Sequence, residues 1–290
     1  MNATAPLLVS GLGALAPDYS GILCDVWGVL HNGVTAFPDA HGALQRFREE
    51  AGGAVILITN APRPAAPIHD QLAGFGVTRA AYDDVVTSGD VTRHLLIENL
   101  DRKVVHMGPE RDMPLYEGLD IALTGDDAAE LISCTGLIDD ERETPDDYRD
   151  RLTRLAARGL PMICANPDIV VERGERLIWC AGALARLYED LGGTVTILGK
   201  PHKPIYSAAL ARLQDIQGAA FDRNRVLAIG DGLPTDIRGA VSQDLDVLFI
   251  TAGIHAADFG PSEAPDEALI RRRLAEEGLS ARAAVPRLRW

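Results

Sequence analysis

The 290-residue chain is poor in aromatics, which make up 5% of it, and holds only four cysteines. Cys24, Cys134, Cys164 and Cys180 show no Cys-x-x-Cys spacing and no pairing with histidine, so neither a zinc pattern nor a disulfide framework is indicated. Three of them lie within apolar runs and read as small core side chains. No apolar run reaches the ~18 residues that a membrane-spanning helix needs. No basic segment precedes an apolar one at the N-terminus, so a secretory signal is not expected and the cytoplasm is. Positive charge is scarce: 28 Lys and Arg face 42 Asp and Glu, a net charge of −14. Nucleic acid is therefore not an expected partner, because its phosphates would be repelled. No Gly-x-Gly-x-x-Gly follows the first predicted strand, which argues against a dinucleotide-dependent oxidoreductase.

What is present is an ordinary globular composition, 47% apolar and 24% charged. The length suits one large or two modest domains. The coarse pattern is strand then helix, repeated, with no internal repeat. Strands are expected at Gly21 to Val26, Ala54 to Ile58 and Asp84 to Thr87. Helices are expected from Phe37-Pro38 to about Glu50, from Pro64 to Gly74, and from a Ser88 cap to about Leu100. Apolar strands without alternation, separated by helices, predict a parallel sheet covered on both faces.

Four polar groups each follow an apolar strand: Asp25, Thr59-Asn60, Lys200, and Asp231 with Asp236. Open α/β sheets place their ligands at the carboxyl ends of strands. The spacing from Asp25 to Thr59 is 34 residues, room for one crossover, whereas Thr59 to Lys200 is 141 residues. A whole domain must be inserted there. Residues 101–195 carry their own strands (Lys103 to Met107, Ile121 to Leu123, Leu131 to Cys134, Pro161 to Ala165). They also carry two helices, Pro145 to Arg158 and Cys180 to Leu191. The expected organisation is a doubly wound, Rossmann-like α/β core from residues 1–100 and 196–290, with an α/β cap at 101–195. Thr194 to Leu198 is expected to return the chain to the core sheet.

These four groups, in this order, resemble the motifs of the haloacid dehalogenase superfamily of phosphohydrolases. Its first motif reads Asp-x-Asp-Gly-(Val/Thr)-(Leu/Ile), and Asp25, Gly28, Val29 and Leu30 match it. A cap between the second and third motifs is the type II arrangement. Thr59-Asn60, Thr87-Ser88-Gly89, Asn166-Pro167-Asp168 and Gly199-Lys200-Pro201 resemble the NagD-like branch. The resemblance implies hydrolysis of a small phosphorylated metabolite, with Asp25 as nucleophile and Mg²⁺ as cofactor. Asp25, Asp231, Asp236 and the Trp27 carbonyl would hold the metal; Thr59, Asn60 and Lys200 would bind the phosphoryl group. Asn166 and Asp168 would face the substrate or position the cap, although Asn-Pro-Asp is also plain turn chemistry. Arg63 could add charge. Dimerisation is suggested by the resemblance alone.

The chain departs from the pattern at position 27, where Trp replaces the second Asp. The backbone carbonyl survives that change; the acid/base side chain does not. General acid–base catalysis contributes roughly 10²–10⁴-fold. Three readings stay open: an enzyme with another acid, His31 being the candidate; a slow enzyme with a long-lived aspartyl-phosphate; or a phosphate- and metal-binding regulatory protein that does not turn over.

Overall fold

The computed structural model describes residues 6–174 and 176–290. Its strands are β1 (Leu7–Leu8), β2 (Gly21–Asp25), β3 (Ala54–Thr59), β4 (Asp84–Thr87), β5 (Lys103–Met107), β6 (Ala122–Leu123) and β7 (Leu131–Cys134). They continue with β8 (Pro161–Cys164), β9 (Val170–Arg173), β10 (Arg176–Trp179), β11 (Thr194–Ile197), β12 (Val226–Gly230), β13 (Asp246–Ile250) and β14 (Ala283–Val285). The chain divides into two compact units. One comprises residues up to Thr59, His69–Val86 and Tyr206–Trp290; the other comprises Asn60–Ile68 and Thr87–Ile205.

The first unit holds a seven-stranded sheet in the order β1-β14-β13-β12-β2-β3-β4. Around its centre the pairing is parallel: β2 lies between β3 and β12, in register from Gly21 opposite Ala54 and Val226. β2, β3 and β12 are buried at every residue, as their uninterrupted apolar runs require. From β2 the chain moves outward to β3 and β4 on one side, and later fills β12, β13 and β14 on the other. The order reverses between β2 and β12, which is the switch point where such sheets open a crevice. Helix Pro38–Glu50 shows how the flanks are built. Pro38 opens it, and Ala40, Ala43, Leu44 and Phe47 form one buried stripe. Gly53 follows it because a Cβ there would strike the Phe47 ring.

The second unit holds a five-stranded sheet, β11-β8-β7-β5-β6, and the β9–β10 hairpin. Successive residues of its strands face opposite cores. Val105, Ile132 and Met162 pack with Leu152, Leu155 and Leu184 from the helices Arg149–Ala157 and Ala181–Asp190. Val104, Leu131 and Ile163 pack with Leu96 and Leu115 on the other face.

Three expectations need correction. Thr194 to Leu198 does not rejoin the large sheet: β11 pairs in parallel with β8, at the edge of the smaller sheet. Its alternation of exposed threonine with half-buried Val195 and Ile197 is an edge pattern, unlike the fully buried core strands. Helix Ser88–Ile97, expected in the core, belongs to the second unit, because Leu96 packs into that unit's apolar cluster. The boundaries expected at 100/101 and 195/196 are displaced accordingly. Finally, Thr87 rather than Ser88 caps that helix: its hydroxyl accepts from the Asp90 N–H at 2.8 Å, and Asp90 accepts from the Thr87 N–H at 3.1 Å.

All four cysteines are buried, and none is in a disulfide. Among the described residues, no helix is long and apolar enough to cross a membrane.

Candidate active site

Asp25 is the last residue of β2, opposite Ile58 of β3. Asp231 follows β12 directly, so the parallel pairing of β2 and β12 brings both residues to the carboxyl end of the central strands. Asp236 reaches the same place by a different route. After Gly232 the chain makes one π-helical turn, Leu233–Ile237, in which the Ile237 N–H donates to the Gly232 carbonyl at 3.1 Å. The wide turn brings Asp236 back over the strand end. Carboxylate oxygens of Asp25, Asp231 and Asp236 lie within 4.8 Å of one another, and the residues are only 6%, 6% and 5% exposed.

Three glycines make that closeness possible. A Cβ at Gly28 would collide with the Asp231 carboxylate, and one at Gly253 would collide with the same side chain. A Cβ at Gly230 would overlap Asp236. Gly28 also sits at φ +84, where other residues are strained. The carboxylates are oriented by backbone donors. The Ile254 N–H donates to Asp231 Oδ2 at 2.8 Å, and the Gly232 N–H donates to Asp236 Oδ2 at 3.1 Å. Three buried carboxylates at this spacing are a hard, all-oxygen donor set, the kind that holds Mg²⁺. The residues present therefore fit a divalent cation. Thr59, at the end of neighbouring β3, is buried as well.

Trp27 and His31 lie in the turn that follows β2. Their backbones form a bridge, and their rings meet edge to face at 5.1 Å between centroids. His31 stacks on Phe75 at 4.6 Å, and its Nδ1 accepts from the Gly33 N–H at 3.0 Å. It is 1% exposed, and burial pushes its pKa down to about 4. His31 is thus a neutral core imidazole at neutral pH. It carries no proton above the ordinary tautomer, which does not fit a proton donor, and its packing does not fit a substrate contact.

The remaining candidates lie in the second unit. Lys200 is 2% exposed, and its backbone N–H donates to Asn60 Oδ1 at 2.7 Å. The Asn60 side chain is thereby engaged with protein groups. Asn166 closes its own turn by accepting from the Asp168 N–H at 3.0 Å, as the turn reading of Asn-Pro-Asp implies. Arg63 faces Asp112 at 3.8 Å. Gly253 and Ile254, which crowd and orient Asp231, are themselves without ionisable groups. A glycine just beyond the apolar run Val247 to Ile250 is the only pointer to them.

A family model for haloacid dehalogenase-like hydrolases matches residues 22–122, and a HAD-hydrolase-like model matches residues 197–276. A solved structure from Brucella suis 1330, a hydrolase of the haloacid dehalogenase-like family, is 50% identical. The match covers 97% of this chain and 100% of that one, with a TM-score of 0.87. The chain belongs to the haloacid dehalogenase-like hydrolases. Two curated relatives are each 26% identical. D-glycerol 3-phosphate phosphatase of Mycobacterium tuberculosis matches over 84% of this chain and 66% of its own length. Ribonucleotide monophosphatase NagD of Escherichia coli matches over 82% of this chain and 89% of its own. Within the family the chain is NagD-like. The carboxylate corner at β2 and β12 brings together Asp25, Asp231 and Asp236, which the sequence resemblance assigns to the first and last motifs.

Proposed function

We propose that this protein hydrolyses a small phosphate monoester through an aspartyl-phosphate on Asp25. The observation that carries the reading is the buried cluster of Asp25, Asp231 and Asp236 at the switch point of the large sheet, with oxygens within 4.8 Å. The phosphatase names of the two curated relatives support the reaction class. In the first step a carboxylate oxygen of Asp25 attacks phosphorus, and the P–O bond to the leaving group breaks. Water then attacks phosphorus, releasing inorganic phosphate and regenerating the carboxylate. Magnesium, held by Asp25, Asp231, Asp236 and the Trp27 carbonyl, would screen the repulsion between attacking carboxylate and phosphate. Thr59, with backbone N–H groups of Thr59 and Asn60, binds phosphoryl oxygens, and Lys200 adds positive charge. Asn166 and Asp168 belong to substrate selection. A homodimer accords with the family resemblance.

Position 27 shapes the expected substrate range. With Trp27 in place of a carboxylic acid and His31 neutral, proton delivery to the leaving oxygen is weak. Leaving groups of low basicity, such as phenols, suffer least. The same observation favours a second reading, a phosphate- and metal-binding regulatory protein. Phosphate release with Mg²⁺ separates the two, using p-nitrophenyl phosphate and a series of alkyl phosphates, with Asp25→Asn as blank. Asp25-dependent release supports the hydrolase; Mg²⁺ and phosphate binding with no release from any substrate supports the regulator. Trp27→Asp is expected to raise turnover of alkyl phosphates by roughly 10²-fold, more than that of the aryl compound. An equal gain on both substrates would show that the missing acid is not what limits the reaction.

A further inference from the structure

Asn60, Asp168 and Lys200 are distant in sequence and meet inside the second unit. The flat carboxamide of Asn60 serves both neighbours at once. Its Oδ1 accepts from the Lys200 N–H at 2.7 Å, and its Nδ2 donates to Asp168 Oδ1 at 2.8 Å, with a longer reach of 3.5 Å to the Lys200 carbonyl. Asp168 is itself anchored. Its N–H donates to Asn166 Oδ1 at 3.0 Å, and its carbonyl accepts from the Gly182 N–H at 3.1 Å. The surroundings close tightly over the amide: Gly199 lies at φ +105, and a Cβ there would come within 2.7 Å of Asn60 Oδ1 and 2.8 Å of Pro167 Cδ.

We propose that Asn60 is a positioning residue, a clasp that ties the Lys200 backbone to the fixed Asp168 carboxylate and so sets where the Lys200 ammonium stands. The functional half of this inference rests on the phosphatase reading; the clasp rests on the hydrogen bonds alone. The chemistry selects asparagine. A carboxamide presents an acceptor to an N–H and two N–H donors, one of them to a carboxylate, from one short planar group. The bond to Asp168 is charge-assisted and so among the stronger ones. Lysine is a point charge on a long flexible stem, and fixing its backbone limits where that charge can go.

A reciprocal exchange tests the clasp. Asn60→Asp sets two carboxylates against each other. Adding Asp168→Asn restores the pair with roles reversed, since the carboxylate at position 60 then accepts from both the Lys200 N–H and the amide at 168. The double variant has the wild-type net charge. Two quantities are read: hydrogen exchange of the Lys200 amide by NMR, which needs no turnover, and kcat and KM for Asp25-dependent phosphate release. Asn60→Ala is expected to speed exchange at Lys200 by at least about fivefold. It should lower kcat by about 10²-fold, the penalty of a displaced catalytic charge, with a smaller change in KM. The double variant should return Lys200 amide exchange to within about fivefold of the wild-type rate, well below that of Asn60→Asp alone. Unchanged Lys200 exchange in Asn60→Ala overturns the clasp, and so does a double variant no better than Asn60→Asp. Should Asn60→Ala fail to fold, the comparison of Asn60→Asp with the double variant still decides. Absence of phosphate release from the wild type would overturn the phosphatase reading and leave the exchange test standing.

Discussion

The two parallel sheets hold polar groups beyond their strand ends by different means. In the seven-stranded sheet shape sets the limit: Gly28, Gly230 and Gly253 leave just the room that Asp231 and Asp236 occupy, and backbone N–H groups of Ile254 and Gly232 then aim the carboxylates. In the five-stranded sheet the groups after β8 and β11 are held by hydrogen bonds with the Asn60 and Asn166 side chains, whose Oδ1 atoms accept from the Lys200 and Asp168 N–H groups while Asn60 Nδ2 donates to Asp168. A steric cradle tolerates no added atom. A hydrogen-bond clasp tolerates exchange of partners that keeps donors facing acceptors. The first suits charges that must crowd together against their own repulsion. The second suits a loop whose side chains must be aimed.

The largest effect is expected at the carboxylate corner. Asp25→Asn should reduce phosphate release to the level of a reaction without enzyme while thermal unfolding shifts by no more than a few degrees. Retained release would remove Asp25 as nucleophile. Next comes the cradle itself. Gly253→Ala pushes directly on Asp231, so Mg²⁺-dependent activity should fall by roughly 10²-fold, the scale for a misplaced catalytic group. Gly52→Ala is the matching control. It sits at φ +67 with open space around it, so it should cost about 1 kcal/mol of stability by denaturant unfolding and leave activity alone. Equal activity losses in the two would mean that general backbone strain, not crowding of Asp231, is responsible.

His31 adds a pH dependence to the same unit. Its pKa falls from 6.5 to about 4 on burial. The unfolded chain therefore binds the proton more readily between those values. Stability is fully present above about pH 6.5 and is lost progressively as pH falls toward about 4, by about 3 kcal/mol. Denaturant unfolding of wild type and His31→Gln across this range measures it; parallel curves would show that His31 is not the group responsible. The smallest effect is expected in the hydrogen-bonded loop. Asn166→Ala removes one turn bond to the Asp168 N–H, and a loss of about 1 kcal/mol is expected. A loss several times larger would mean that the loop is held as rigidly as the cradle.

Much of this was legible before the fold was known. β2, β3 and β12 announce themselves as unbroken apolar runs, and a polar residue just after such a run in a parallel sheet has one place to be. Asp25, Thr59 and Asp231 follow from that rule, and so does an insertion between Thr59 and Lys200, because 141 residues exceed any single crossover. β11 was misassigned because a short apolar segment near a motif resembles a core strand until its alternation is weighed. Helix Ser88–Ile97 was misassigned because helical periodicity reports an apolar face and not which sheet that face covers.

Local sequence thus determined where the strands end and which chemistry stands at those ends. Backbone periodicity and strand-end placement depend on neighbours a few residues apart. Only the tertiary structure decided that His31 is a neutral stacked imidazole, that Gly253 walls in Asp231, and that Asn60 bonds to Asp168 and Lys200. Each of these depends on which side chain meets which across tens or hundreds of residues, and packing, unlike periodicity, leaves no trace in local order.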